Sequence, residues 1–406
     1  MDFSYNDTTR RWLDKLNAFT DEVIKPIEND VYAYHHKHNN HGDWQRWTLP
    51  EQVEDAKQKA KAAGLWNLFL PDAELGQGLT TTEYAPLAEV MGRYIFAPEI
   101  FNCNAPDTGN MEVLYHFGND EQKATWLTPL LAGEIRSVFG MTEPDVASSD
   151  ATNMAATIVE DGDELVINGK KWWSTGLGHP NAKFTIFMGL SNPEAEKHSR
   201  HSMVIVPLDT PGVTVKRMLD AYGDYDAPYG HGEMHFDNVR VSKKNLIMGM
   251  GKGFAIAQGR LGPGRIHHCM RAIGMAEKAL ELAMHRGQSR VAFGQPLLKL
   301  GGNLERIADA RMAIDQARLL TMHAAWKIDN LGVKNAMTEI SAIKVVVPNM
   351  LQSVVDMALQ LHGGAGMCSD FPLARFAAGA RSLRLADGPD EVHKGMVSRL
   401  ELKKYR

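Results

Sequence analysis

The apolar residues change their spacing twice along this 406-residue chain, and that change restricts the fold more than any other feature. From Thr8 to about Ser137 they recur at helical spacing, with amphipathic stretches at 11–31, 51–63 and 120–131 broken by Pro and Gly. Between about Phe139 and Val241 the period shortens to two, and β-branched runs appear: MAATIVE, ELVI, FTIFMG and MVIVP. From Gly253 the helical period returns in four long segments, at 254–286, 303–331, 335–361 and 390–404. A helix-period stripe cannot line one face of a strand, so each regime fixes its own element type. The chain is predicted to be α+β, with an all-α domain at 1–138, a small antiparallel sheet or barrel at 139–245 and a four-helix bundle at 246–406.

Local signals sharpen the boundaries. NDEQKATWL opens with a capping Asn119 or Asp120, and its helix closes at Gly133. EDGDE and Asn168-Gly169 are both turn signals suited to tight hairpins. Pro348 is expected to kink the third bundle helix, because it lacks a backbone donor and crowds the preceding turn.

Composition removes several classes of function. The formal charge of -5 provides no global basic field for nucleic acid or an acidic membrane. Cys103, Cys269 and Cys368 lie far apart without metal-ligand spacing, so neither a disulfide framework nor a zinc site is predicted. The start, MDFSYNDTTRRWLDKL, has no apolar signal core, and no later run reads as the ~18 apolar residues that a bilayer demands. A soluble, cytoplasmic protein is expected. His35, His36, His38 and His41 read as a polar loop rather than a metal site, and the adjacent His267 and His268 as packing or capping residues. GMGKGF is not a dinucleotide fingerprint, and no GxSxG, HExxH or Walker sequence is present.

Five segments carry candidate chemistry. FGMTEPDVASSD (139–150) sets small and hydroxyl-bearing side chains beside exposed backbone, which suits a polar cofactor or an ordinary turn. NGKKWWSTG (168–176) places an indole two residues from a hydroxyl on one strand face, which suits a flat ring system or a barrel wall. RVAFGQP (290–296) offers an arginine for a diphosphate, or a solvated surface charge. QLHGGAG (360–366) allows close backbone approach, or simply ends a helix. RLADGPDE (384–391) holds Asp387 either as a base, as a helix cap with Glu391 in capping-box position, or as an i, i+3 partner of Arg384.

In order and spacing, the five together resemble the acyl-CoA dehydrogenase family. GLWNLFLP (64–71) and NAPDTGNMEVL (104–114) look like the branch whose eukaryotic members carry this dehydrogenase behind a phosphotransferase-like domain, which is not expected here. The resemblance implies one FAD per subunit and an acyl-CoA substrate oxidised between its α and β carbons to a trans-2-enoyl-CoA. Phe139, Met141, Thr142, Ser148 and Ser149 would line the flavin, with Ser149 also near the substrate. Trp173 would cover the flavin face, with Ser174 beside it and Thr175 at its reactive nitrogen. Arg290 and Phe293 resemble contacts to the diphosphate and adenine half, and Gln360, Gly363 and Gly364 contacts made from a neighbouring subunit. Pro389 and Glu391 fall at further cofactor positions, Arg265 and Gly388 beside the acyl-CoA, and Asp387 at the catalytic base.

The resemblance further implies a homo-oligomer, a dimer of dimers, with an electron-transfer flavoprotein as acceptor. Two competing readings are a flavin oxidase on the same scaffold, acting on acyl-CoA or a nitroalkane, and a non-catalytic acyl-CoA-binding assembly protein. The chain departs from the family pattern in five places. Asp387 stands where most members have Glu, the TEPDVASSD loop is one residue longer than the common form, and Pro389 replaces a hydroxyl residue. LKLGGN lacks the usual polar partners for adenine, and PGR before Ile266 replaces a more polar run.

Overall fold

The computed structural model describes residues 3–405; side chains 261–263 lie outside that description, Pro263 of the PGR departure among them. Contacts divide the chain into two compact units, both discontinuous in sequence. A helical unit takes the residues up to Ala33, Gln52–Phe101 and Gly262 onward, and a β unit takes Tyr34–Glu51 and Asn102–Leu261.

In the helical unit the first helix, Asp7–Phe19, starts where the Asn6 side chain accepts from the Thr9 amide at 2.8 Å. The amphipathic stretch read at 11–31 is divided into Asp7–Phe19, a π turn at Thr20–Ile24, a 3-10 turn at Lys25–Ile27 and a helix at Glu28–His38. Pro26 has no amide for an i−4 bond, which accounts for the 3-10 turn. Glu51–Ala62 forms as expected. Thr81–Gly92 opens with a reciprocal capping box between Thr80 and Glu83.

Four long helices carry the rest: Gly253–Ser289, Asn303–Leu331, Met337–His362 and Asp390–Leu402, the first of which begins within the β unit's segment. A shorter one, Leu373–Leu383, was not separable by period because it spans only three turns. Ile340, Ile343, Val347, Leu351, Val354, Ala358 and Leu361 bury one face of Met337–His362. Pro348 sits inside that helix, buried, without ending it. One segment, Val333–Met367, is long and apolar enough by length and composition to cross a membrane, contrary to the reading of the sequence. Over half of its apolar window is buried, as in the core helix of a bundle.

The β unit holds β1 (Arg136–Gly140), β2 (Thr157–Asp161), β3 (Glu164–Thr175), β4 (Ala182–Leu190), β5 (His201–Pro207), β6 (Val213–Leu219) and β7 (His231–Ser242). Their order is β1-β4-β2-β3-β7-β6, with β5 on β4. The ladders are antiparallel except β1–β4 and a single β2–β4 bridge, Thr157 to Leu190. Ile158, Leu165, Ile167, Phe187, Val204, Met234, Phe236 and Val239 make its core, together with Trp47.

EDGDE makes the β2–β3 hairpin, with Gly162 at φ +59°. Asn168-Gly169 does not turn the chain. β3 continues through it with a bulge between Ile167 and Gly169, and Asn168 Oδ1 accepts from the Asn238 amide at 2.8 Å. The glycine serves the bulge: at φ +140°, any Cβ there would strike the Ala156 backbone at 2.9 Å. The histidine-rich stretch is also corrected, since His35, His36 and His38 end the helix Glu28–His38 rather than lying in a loop. Asn119 caps the helical turn Asp120–Gln122 in a capping box with Gln122.

Candidate active site

In the helical unit the site gathers at the turn between Leu373–Leu383 and Asp390–Leu402. Asp387 and Gly388 stand at φ +53° and +100°, so the backbone reverses sharply there. A Cβ on Gly388 would come within 2.9 Å of His393 Nε2, so the turn requires glycine. The Asp387 carbonyl accepts from Arg265 Nη2 at 3.3 Å and from His393 Nε2 at 3.1 Å. A carbonyl can only accept, so His393 presents its Nε2 proton. Burial, with Arg265 nearby, pushes the His393 pKa down to about 4 and keeps the ring neutral.

The Asp387 side chain is 25% exposed, with His268 Nε2 3.4 Å from Oδ2. Two buried cations act on it through space, Arg265 and Lys344, and burial lowers the pKa of both. Lys344 donates to the Leu383 carbonyl. Burial raises the neighbouring Cys269 thiol to about 12, which makes it inert as a nucleophile.

The two structural duties that the sequence suggested for Asp387, the cap and the Arg384 pair, fall to other residues. Pro389 is the N-cap of the last helix, with no side-chain capping bond. Arg384 turns to Asp390, at 2.9 Å from Nε, and to Gln352 at 3.0 Å. Burial would raise the Asp390 pKa, but its bonds from Asn349 and Arg384 outweigh that and lower it. Glu391 is exposed.

The other expected contacts of this unit lie on its surface. Arg290 leads into a two-residue-strand hairpin, Val291–Ala292 with Gln295–Pro296, whose tip is Phe293 at φ +52° and 95% exposed. Gln360, Gly363 and Gly364 sit at the exposed end of Met337–His362, where Gly363 has φ +62°.

In the β unit the 139–149 loop is fastened from below by a buried ion pair that the sequence reading missed. Glu143 accepts from the Ala155 and Ala156 amides at 2.8 and 3.1 Å and from Lys171 Nζ at 2.7 Å. Lys171 also donates to the carbonyls of Met141 at 2.8 Å and Met188 at 2.6 Å. Burial, opposed by Glu143, brings its pKa down to about 8. The signal available was a Glu in TEP and a Lys in KKWW, but their pairing depends on the β1–β3 geometry.

The Trp172 amide donates to the Thr142 carbonyl at 2.9 Å, which joins the two candidate cofactor segments side by side. Ser148 Oγ accepts from the Glu143 amide at 2.9 Å and Ser149 is exposed. A second bulge, between Lys171 and Ser174, holds Trp173 at φ +50° and leaves its indole 42% exposed. Ser174 is buried, whereas Thr175 shares a hydrogen bond with His231 Nδ1 at 3.0 Å. His231 in turn lies 3.3 Å from Asp226, a pair that no sequence motif marked. Phe139 is half-buried under the Arg260 guanidinium, 3.9 Å from its centroid. An exposed flat indole among hydroxyls and turned backbone is a donor set that suits an aromatic, hydrogen-bonding cofactor such as a flavin. Among the described residues no group of three or more His, Cys, Asp or Glu is placed to hold a metal.

Comparison with known proteins covers the chain from its first helix to its last. Sequence models of three consecutive domains match: acyl-CoA dehydrogenase N-terminal domain over residues 6–134, middle domain over 138–239 and C-terminal domain over 251–401. The chain is 52% identical to mouse acyl-CoA dehydrogenase family member 10 over 97% of its own length, but spans only 37% of that relative. It is 50% identical to the probable acyl-CoA dehydrogenase FadE2 of Mycobacterium tuberculosis, over 100% of this chain and 98% of that one. A solved structure of a putative acyl-CoA dehydrogenase from Mycobacterium abscessus superposes with a TM-score of 0.97 at 59% identity, covering 100% of both chains. With the three domain types in order and such similarity over the full chain, the protein belongs to the acyl-CoA dehydrogenase family.

Proposed function

We propose that the protein is an FAD-dependent dehydrogenase that converts an acyl-CoA thioester to its trans-2-enoyl-CoA, with Asp387 as the base. The observation that carries this reading is the state of Asp387. Its backbone is locked by Arg265, His393 and Gly388, its carboxylate is still a quarter exposed, and the capping and Arg-pairing duties belong to Pro389 and Asp390. A partly exposed carboxylate on a firmly held turn, beside two buried cations, has the placement of a proton acceptor.

When bound, FAD supplies the ring that accepts hydride from the β carbon. Trp173 would cover that ring, with Thr142, Thr175 and the backbone of Phe139 to Ser149 as polar partners, while Arg290 and Phe293, joined by Gln360, Gly363 and Gly364 from a neighbouring subunit, would hold the dinucleotide end. Asp387 takes the α proton, and its own amide, presented by the φ +53° turn, would hold the thioester carbonyl as charge builds there. Arg265 and Lys344 place opposite charge near that carboxylate.

The same proposal includes cytoplasmic residence, an electron-transfer flavoprotein as acceptor and assembly as a dimer of dimers. Leu304, Met312, Leu319 and Trp326 support assembly. They are large, exposed and recur at seven- or eight-residue intervals along Asn303–Leu331, as a helix-packing stripe does. Light scattering of the flavin-loaded protein tests this, and a monomer overturns it.

The reaction is tested by anaerobic bleaching of the flavin with butyryl-, octanoyl- and palmitoyl-CoA. Asp387→Asn should keep its fold and flavin while reduction slows by about 10²- to 10⁴-fold. A wild-type rate in that variant, or a colourless protein that takes up no added FAD, overturns the reading.

A further inference from the structure

The end of β3 meets the start of β7, where Thr175 is paired directly with His231. Across that pair Thr175 Oγ1 and His231 Nδ1 share a hydrogen bond of 3.0 Å, and among the described residues the hydroxyl has no other partner. The imidazole lies beside the exposed Trp173 indole, 5.9 Å away between ring centroids and inclined to it by 46°. Its far nitrogen, Nε2, is 3.3 Å from Asp226 Oδ2. A cross-strand side-chain bond often does no more than hold two strands together. Here the backbone already does that, because the pair lies within the ladder and the Gly176 amide next to it donates to the Gly230 carbonyl at 3.0 Å. The Thr175–His231 bond is not needed to set the register.

From this geometry we infer that His231 is a positioning residue for Thr175, holding its hydroxyl in one rotamer on the indole side of β3, where the flavin's reactive nitrogen would stand. The inference rests on the proposed place of Thr175 against the flavin. Threonine carries a methyl and a hydroxyl on one carbon, and a change of χ1 well can put the methyl where the hydroxyl was. The bond to His231 selects one well. It does so in either direction, since a hydroxyl has one proton and two lone pairs. If Nδ1 donates, Oγ1 keeps its proton for a nitrogen that is about to receive hydride. If Nδ1 accepts, Oγ1 keeps its lone pairs for the N–H that the transfer leaves. A ring nitrogen able to take both roles suits a hydroxyl whose partner changes from acceptor to donor.

The test uses the flavin-loaded enzyme with Thr175→Val, His231→Leu, the two combined, and His231→Asn, whose amide can stand near the place of Nδ1. With whichever of butyryl-, octanoyl- or palmitoyl-CoA reduces the wild type fastest, His231→Leu should slow bleaching by about ten-fold, the worth of one hydrogen bond, with KM little changed. The combined variant should be no slower than Thr175→Val, because His231 acts only through that hydroxyl. His231→Asn should recover most of the rate. Independently of turnover, the resonance Raman band of the flavin C=N bond at the reactive nitrogen should fall at one frequency in the wild type and His231→Asn, and at another in Thr175→Val and His231→Leu.

An unmoved rate and Raman band in His231→Leu, or a combined variant slowed by the product of the two single effects, overturns the inference. Should His231→Leu not fold, His231→Phe takes its place in the cycle, with a flat ring beside Trp173 and no nitrogen. Thr175→Val separates the two levels. If it leaves rate and band at wild type, the place of Thr175 at the flavin fails and the inference with it, whereas if it moves both and His231→Leu moves neither, only the positioning role fails.

Discussion

Lys171 of the β unit and Lys344 of the helical unit are both buried ammonium groups whose pKa burial has lowered, yet their surroundings are opposite. Lys171 spends its three protons on Glu143, Met141 and Met188, and the carboxylate it neutralises is itself buried and doubly bonded to backbone amides. Lys344 donates to the Leu383 carbonyl, and its charge acts on an aspartate that stays a quarter exposed. A buried charge with every bond satisfied can only hold structure. A buried charge beside a partly exposed carboxylate suits the proposed role of Asp387 as the base. The contrast supports the proposed division between scaffold and chemistry.

The sharpest way to break that contrast is at the two acids. Asp387→Asn should cost the reaction about 10²- to 10⁴-fold while thermal unfolding stays near wild type. Glu143→Gln should do the reverse, leaving Lys171 buried without its counter-ion and costing about 3–5 kcal/mol of stability in urea denaturation. If Asp387→Asn unfolds the protein, or Glu143→Gln leaves stability unchanged, the assignment of roles is wrong.

A smaller effect concerns Glu112, buried on the helix Asp107–Phe117 of the β unit. Burial, offset in part by Arg260, raises its pKa from 4.5 to about 8. The folded state therefore holds a proton that the unfolded chain has already lost between those values. The stability Glu112 contributes is complete below the unfolded pKa and is lost as pH rises through the window, by about 1.4 kcal/mol per pH unit. Glu112→Gln has no proton to lose, so its melting temperature relative to wild type should climb across that range. A constant difference would show that Glu112 is ionised in the folded protein.

Much of this architecture could be read before any coordinates. The helical, β, helical succession, the Asn119 cap and the EDGDE hairpin follow from local rules, because periodicity and turn chemistry act over a few residues. The same local rules failed at Asn168-Gly169, where the pairing of β3 with β7 made a bulge from a sequence that would turn an isolated hairpin. They also failed at His35 to His38, where the helix runs on past a polar composition.

The five candidate cofactor and substrate motifs, with Asp387 among them, could be picked out from the sequence alone, since residue types in order are all that a resemblance requires. Which neighbours those residues meet was not. Glu143 with Lys171, Arg384 with Asp390 rather than Asp387, Thr175 with His231, and Arg271 with His268 and Asp387 join positions as close as three and as distant as about 120 residues apart. Sequence spacing carries no information on such contacts once the chain has turned, because hydrogen bonds and ion pairs form over a few ångströms of space and only the packed fold decides which side chains come within that reach.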